Sequence, residues 1–469
     1  LTLSDLIRNY VLLNMDSNNQ SLIYETIWYP KIEMQLKENA SDFFRDYLQY
    51  KTSSSVKAVS DNNTKEIYAA FKSFVEITYS NHKAFIDDIV QYVDLYKWIL
   101  QEIVIDSISN DAVKEKEIKE LLRNIFHDIK TEAFKPFVMG LLYYHQNPTP
   151  ACSLSDGALI SMLKIIRTYL IRRRLLKLTQ GENKSIVLLC NRIVDLVQSK
   201  VEISYLLSTL YYKMRLPNDD EIQQNLLIAN FYEDYKNYRK FILGKIEEHN
   251  TKVAVDFRDP KITIEHVMPQ TLRTEWETEL GENFAEIHKK YLHNIGNLIL
   301  TEFNSEIGND PFKDKKEKLK TSSLYYRLEI ISSKTWGEND IKNHQHTMIN
   351  WFLETFPLPD QYKHASNWNT KEQDVTDFSP LDKDAGDIAE GNKPLRLKIG
   401  DREIKVSTWQ DVFIQFIRFI KHDSNYDFQF IVDNQSELFN NENIILSWTI
   451  LEKMIEKNAD LANRYKTLD

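Results

Sequence analysis

A chain of 469 residues exceeds what one hydrophobic core holds, so two to four domains are expected. With 42% apolar and 12% aromatic residues against only 11 Gly and 12 Pro, it reads as a helix-rich globular protein, which excludes disordered and collagen-like classes. A net charge of −10 argues against a surface coated in basic residues, although a local basic stripe at a phosphate site stays compatible with it.

Leu1 to about residue 240 reads as helix after helix. Ser4 suits an N-cap, with Leu6, Ile7 and Tyr10 at helical spacing behind it. Ile67–Val75, Phe85–Ile103, Val113–Ile129, Ala158–Leu178 and Ile186–Val197 repeat that spacing between short polar joints, without a fixed-period repeat. Within the Ala158–Leu178 segment, Lys164, Arg167, Arg172, Arg173, Arg174 and Lys177 bring six basic residues and no acidic one. Two readings stand: a solvated face or intramolecular partner for acidic helices, or a contact with nucleic-acid phosphates, chiefly through Arg172 and Arg173.

The charged stretch Asn218–Glu221 separates these helices from a helix expected over Asn225–His249. Lys261–His266 then alternates Ile262 and Ile264 with Thr263 and Glu265, the pattern of a half-buried strand, and Pro269 stops it. Tyr291–Leu300 supplies a second strand around a turn at Gly296-Asn297, and Asn304–Leu319 reads as a loop and helix. After Trp351–Phe356 the chain turns polar, and residues 357–393 read as a linker. Leu395–Ile399 and Glu403–Val406 flank Gly400-Asp401 as a hairpin, followed by a helix, a strand and a final helix.

The central segment carries the chemistry. A histidine at a strand end, an asparagine about thirty residues on and a further amide beyond it form the order of parts in a metal-dependent nuclease of the HNH type. Phosphodiester hydrolysis needs a base for water, a divalent cation on the phosphate and groups that fix the base. His266 suits the base, since a neutral imidazole is available near neutral pH. Asn297 could hold the backbone or the imidazole, Glu265 faces the opposite side of the strand, and Asn304 or Asn309 could offer a carbonyl oxygen to Mg²⁺ or Mn²⁺. Lys313, Lys315 and Lys316 open a lysine-rich helix on which a phosphate backbone could lie. The reading requires the His266 imidazole and the carboxamides to converge around one ion-sized gap. By contrast Glu275, Glu277 and Glu279 read as a solvated helix face, and His344 and His346 as solvent-exposed histidines, because an i, i+2 pair does not share a helix face.

Glu265-His266-x-x-Pro269-Gln270, Trp276, Gly296-Asn297-Leu298-x-Leu300-Thr301, Asn304-Ser305-x-x-x-Asn309, Phe312 with its lysines and Trp336 together resemble the C-terminal HNH-like domain of GmrSD-type restriction enzymes. Leu3–Leu12, Trp28-Tyr29-Pro30 and Ile67–Phe71 are similar to the back half of that family's N-terminal nucleotide-dependent domain and its helical region. The resemblance implies a DNA-cutting enzyme of bacterial anti-phage defence, often acting on modified DNA, under nucleotide control. The family's Asp-Gly-Gln-Gln-Arg motif is absent, so the chain is expected to lack the N-terminal nucleotide-dependent region, and no cofactor-binding residue is assigned. Ile341-Lys-Asn-His344 also stands where many relatives carry an Arg.

The fold expected is mainly α. It comprises an irregular helical domain over residues 1–240, a ββα-metal, HNH-like nuclease domain over 241–356, the linker 357–393 and a small α+β module over 394–469. The expected partner is DNA, with a second copy of the chain as a further candidate and no membrane. No apolar run nears the roughly 18 residues of a membrane span, no secretory signal pattern opens the chain, and a cytoplasmic location is expected. Cys152 and Cys190 fit neither a disulfide framework nor a zinc site. The alternatives are a catalytically degenerate nucleic-acid-binding or regulatory protein, and a helical scaffold for another protein.

Overall fold

Local capping and burial set most of the helices. The first, Leu3–Leu13, is capped by Thr2, whose hydroxyl accepts from the Asp5 N–H while the Asp5 carboxylate accepts from the Thr2 N–H; Ser4, the expected cap, lies two residues further on, inside the first turn. The computed structural model describes residues 1–363 apart from 16, 55, 58, 61, 103–106, 151, 179–181, 199–205, 207–208, 211–213 and 253–254, together with Arg396–Ile399 and Arg402–Lys405.

Two units emerge, Leu1–Trp368 and Asn369–Asp469. The first is mainly helical. Its early helices pair as Leu3–Leu13 with Thr64–Thr78, His82–Leu100 with Lys135–Gln146, and Ala112–Arg123 with Asp156–Leu175. Between them lies an aromatic core that includes Phe43, Phe44, Tyr47, Phe71 and Tyr96, all buried. Rings of this kind bury large apolar areas and meet edge-to-face, as Phe44 does against Phe71 at 5.7 Å and 90°. The segment Ile186–Val197 divides into Glu182–Asn191 and Ile193–Gln198. The expected helix Asn225–His249 is three helices, Asp219–Ile228, Phe231–Asp234 and Arg239–Thr251. Asn218 and Glu221 are the capping box of the first of these, so the charged stretch starts a helix instead of marking a joint.

The strand β1, Thr263–His266, pairs antiparallel with β2, Leu298–Thr301, with Ile264 opposite Leu300 and His266 opposite Leu298. β2 starts later than expected, because Phe284–Tyr291 is a helix and Ile295–Asn297 a tight turn. Two short helices follow β2, Asn304–Ile307 and Phe312–Leu319. The helix Glu338–Thr355 lies across the turn and against Arg239–Thr251. Gly296 is required there: a Cβ would stand 2.4 Å from the Ile341 carbonyl oxygen.

Part of the expected linker is folded, since Asp360–Lys363 is helical and Leu358 and Tyr362 are buried in the core. In the second unit, Arg396–Ile399 and Arg402–Lys405 form the expected antiparallel hairpin. The later helices and strand expected in that unit lie outside the described residues. No helix among the described residues is long and apolar enough to cross a membrane.

Candidate active site

Strand alternation places Glu265 and His266 on opposite sides of β1, and each side has its own character. On one side the Glu265 carboxylate accepts from the Lys315 ammonium, which also donates to the His266 carbonyl at 2.8 Å. Both side chains are buried. Burial raises the Glu265 carboxyl and lowers the Lys315 ammonium, while the ion pair opposes both shifts.

On the other side lies a cluster of rings. His266 Nε2 stands 3.1 Å from His293 Nδ1, and Gln270 Nε2 stands 3.4 Å from His266 Nδ1. An amide nitrogen only donates, so Nδ1 of His266 accepts and its proton sits on Nε2, aimed at His293. The Tyr232 ring lies 4.5 Å from the His266 ring and stacks on His293 at 5.5 Å and 16°. Its backbone N–H donates to the His293 carbonyl at 3.1 Å. Burial is the chief cause that pushes His266 down to about 3, with His293, Lys315, Arg239 and His288 adding to it. The imidazole is therefore neutral at physiological pH. His293, at the rim, is lowered too, by burial first.

Asn297 does not reach the imidazole. Its Oδ1 accepts from the Met268 N–H at 2.7 Å and from Trp336 Nε1 at 3.1 Å, and its Nδ2 donates to the Met268 and Leu292 carbonyls, both at 2.9 Å. All four of its bonding positions are spent, fixing the chain just beyond His266 to the turn. Asn297 is thus a positioning residue, and the expected convergence of its carboxamide with the His266 ring is corrected.

The donors expected for a hard cation fit it in kind, being a carboxylate and amide oxygens. Asn304 donates its Nδ2 to the Ile264 carbonyl at 3.1 Å, which seats the amide against β1 and leaves its Oδ1 without a protein partner among the described residues. Asn309 is exposed. Glu265 reaches a cation only by releasing Lys315. Among the described residues, no group of three or more His, Cys, Asp or Glu side chains converges as a metal site.

The expected phosphate contacts divide. Lys313 is exposed, whereas Lys316 donates to the Ser333 carbonyl. Lys315 is fully buried on Glu265 and cannot meet a phosphate, which corrects that expectation. Arg172 and Arg173 are corrected likewise. The buried Arg172 donates to the Phe356 carbonyl at 2.7 Å and the Pro217 carbonyl at 3.2 Å and pairs with Asp219 at 2.8 Å. Arg173 donates to the Met214 carbonyl at 2.9 Å. The basic helix is an internal strut, with Lys164 on Glu117 and Lys177 on Asp234.

Glu275, Glu277 and Glu279 are exposed, as expected, and so is His346. His344 is not. Its ring is buried, bonds the Gly296 carbonyl at 2.8 Å and is driven down to about 4 by burial. His293, Tyr232 and Arg239 went unrecognised in the sequence. A second histidine three residues before Gly296 was the available signal for the first, and nothing in the periodicity marks the other two.

Residues 216–351 match the family model for the C-terminal domain of GmrSD restriction endonucleases. No curated protein matches the chain.

Proposed function

Because residues 216–351 match the C-terminal domain of GmrSD restriction endonucleases, we propose that the chain is an HNH-type DNA endonuclease of a bacterial restriction system, in which His266 is the general base. The observation that carries this reading is the position of His266: at the end of β1, inside the matched domain, with Nε2 committed to His293 and Nδ1 facing only an exposed glutamine amide. Swinging Gln270 aside opens Nδ1 to water. That nitrogen takes the water proton as the oxygen attacks phosphorus, and His293 shares the charge through Nε2. An imidazole held down by burial is a weak base in isolation. The negative charge of an incoming phosphodiester raises it when substrate arrives.

A divalent cation, Mg²⁺ or Mn²⁺ held by Glu265 with Asn304 or Asn309, would supply charge neutralisation at the phosphate. Asn297 keeps His266 in register by holding Met268. Lys313 offers an exposed cation to the DNA backbone. A role in anti-phage defence and action on modified DNA follow from the family alone.

The test is cleavage of plain and hydroxymethylated or glucosylated DNA by the protein and its His266→Ala variant, with Mg²⁺ or Mn²⁺ and then EDTA. Cleavage is expected to fall by at least about a thousandfold in the variant and to stop with EDTA. A metal-independent activity, or one indifferent to His266, overturns the mechanism. A second reading, a DNA-binding protein that does not cut, is favoured by the engagement of Glu265 with Lys315. Retained binding with no cleavage under either metal selects it.

A further inference from the structure

Arg239 opens the helix Arg239–Thr251, ahead of β1 and outside every motif quoted above. Its guanidinium lies 3.5 Å from the centroid of the Tyr232 ring, a cation–π contact, and it also donates to the Tyr232 carbonyl. The same ring touches His266 at 4.5 Å and stacks on His293. Arg239 is therefore one aromatic ring away from the base. It is also close enough to press both imidazoles toward their neutral forms. Among the described residues no carboxylate lies within ion-pair distance of it, in a chain whose acidic residues outnumber its basic ones, 69 to 59.

A half-buried arginine whose guanidinium lies over a tyrosine ring, with no carboxylate at ion-pair distance among the described residues, is prepared for an anion from outside. Planar guanidinium geometry matches two phosphate oxygens at once. Its surroundings agree: Lys289 and Lys290 are exposed on the last turn of Phe284–Tyr291, four and three residues ahead of His293. The nearest acid to His293 is Glu233, which is exposed and free to turn to solvent.

We propose that Arg239 is the anchor for the phosphodiester at this site, gripping non-bridging oxygens of the nucleic-acid backbone and setting the phosphorus beside His266. The proposal rests on the nuclease reading for its catalytic consequence, and on the stacked geometry alone for its binding consequence. Tyr232 acts as the platform beneath the guanidinium. Charge and fork both matter, so lysine replaces only the charge.

Arg239→Gln and Arg239→Lys, each made in the full chain, test it with a fluorescein-labelled 20-bp duplex as probe. His266→Ala serves as the background, so that binding is read without cutting. The logarithm of affinity is plotted against the logarithm of salt concentration. Loss of one phosphate contact should shallow the slope by about 0.9 for Arg239→Gln and leave it unchanged for Arg239→Lys. With His266 restored, cleavage should fall about a hundredfold in Arg239→Gln and at least about tenfold in Arg239→Lys. Should Arg239→Gln lower the melting temperature, the Arg239→Lys pattern of intact slope with reduced cleavage carries the test by itself. Wild-type slope and rate in both variants overturn the proposal, as does a parent protein that binds no duplex at any salt. A shallower slope in Arg239→Gln with no cleavage by the parent keeps the anchor and sinks only the nuclease.

Discussion

Arg172 and Arg239 lie in the same unit, and what surrounds them differs completely. Arg172 sits in the most basic helix of the chain, yet its guanidinium is sealed from solvent and spent on two carbonyls and Asp219. Arg239 sits in a stretch that no charge pattern marks, and it faces the site with an aromatic ring beneath it and, among the described residues, no acid at ion-pair distance. Clustered charge in a sequence is a poor guide to contact with an anion. The inventory of partners around each group decides which arginine holds the protein together and which is left to bind something else.

The sharpest way to break this comparison is Arg172→Ala. Removing one partner of a buried pair strands Asp219 and two carbonyls, so a loss of about 3–5 kcal/mol is expected in urea unfolding of the full chain. A loss under about 1 kcal/mol would show the guanidinium to be dispensable and return the helix to the list of DNA contacts.

Next in size is a pH effect at His344. Its folded value near 4 lies below the usual 6.5, so the unfolded chain binds the extra proton between the two. Its contribution is therefore complete above pH 6.5 and is lost as the pH falls toward 4, at about 1.4 kcal/mol per unit. In His344→Gln the slope of stability against pH over that window should flatten relative to the parent. Equal slopes in the two proteins would show that the ring is not held neutral by burial.

The smallest effect expected is that of Lys164→Ala, which opens a half-exposed pair with Glu117. Exposed pairs contribute little, and a change within about 0.5 kcal/mol is expected. A larger loss would mean that the solvent side of the strut shares the work of its buried side.

How far the sequence foretold all this can be read residue by residue. The strand at Thr263–His266 was legible because alternation and Pro269 bound it on both sides, and so was the hairpin around Gly400-Asp401. The split of Asn225–His249 into three helices was not, since Asn230 caps a new helix from inside an apolar stretch that reads as continuous. The motif singles out His266 and Asn297 as candidates. Their geometry was not legible, because an amide can face a ring or a backbone and only tertiary packing chooses. His344 was misplaced for a similar reason: helical spacing separates it from His346, but only the approach of Gly296 shows which of the two turns inward. Tyr232 and Arg239 reach the site from two preceding helices, across a distance that no local pattern encodes.

Arg172 has a last implication, for portability. Phe356, whose carbonyl it clamps, caps the helix in which the family-matched segment ends, while the arginine belongs to a helix that ends some forty residues before that segment begins. The matched stretch is therefore no free-standing cassette. Transplanted alone, it would part with the guanidinium that tethers its final helix, so the helical half travels with it as foundation rather than as cargo.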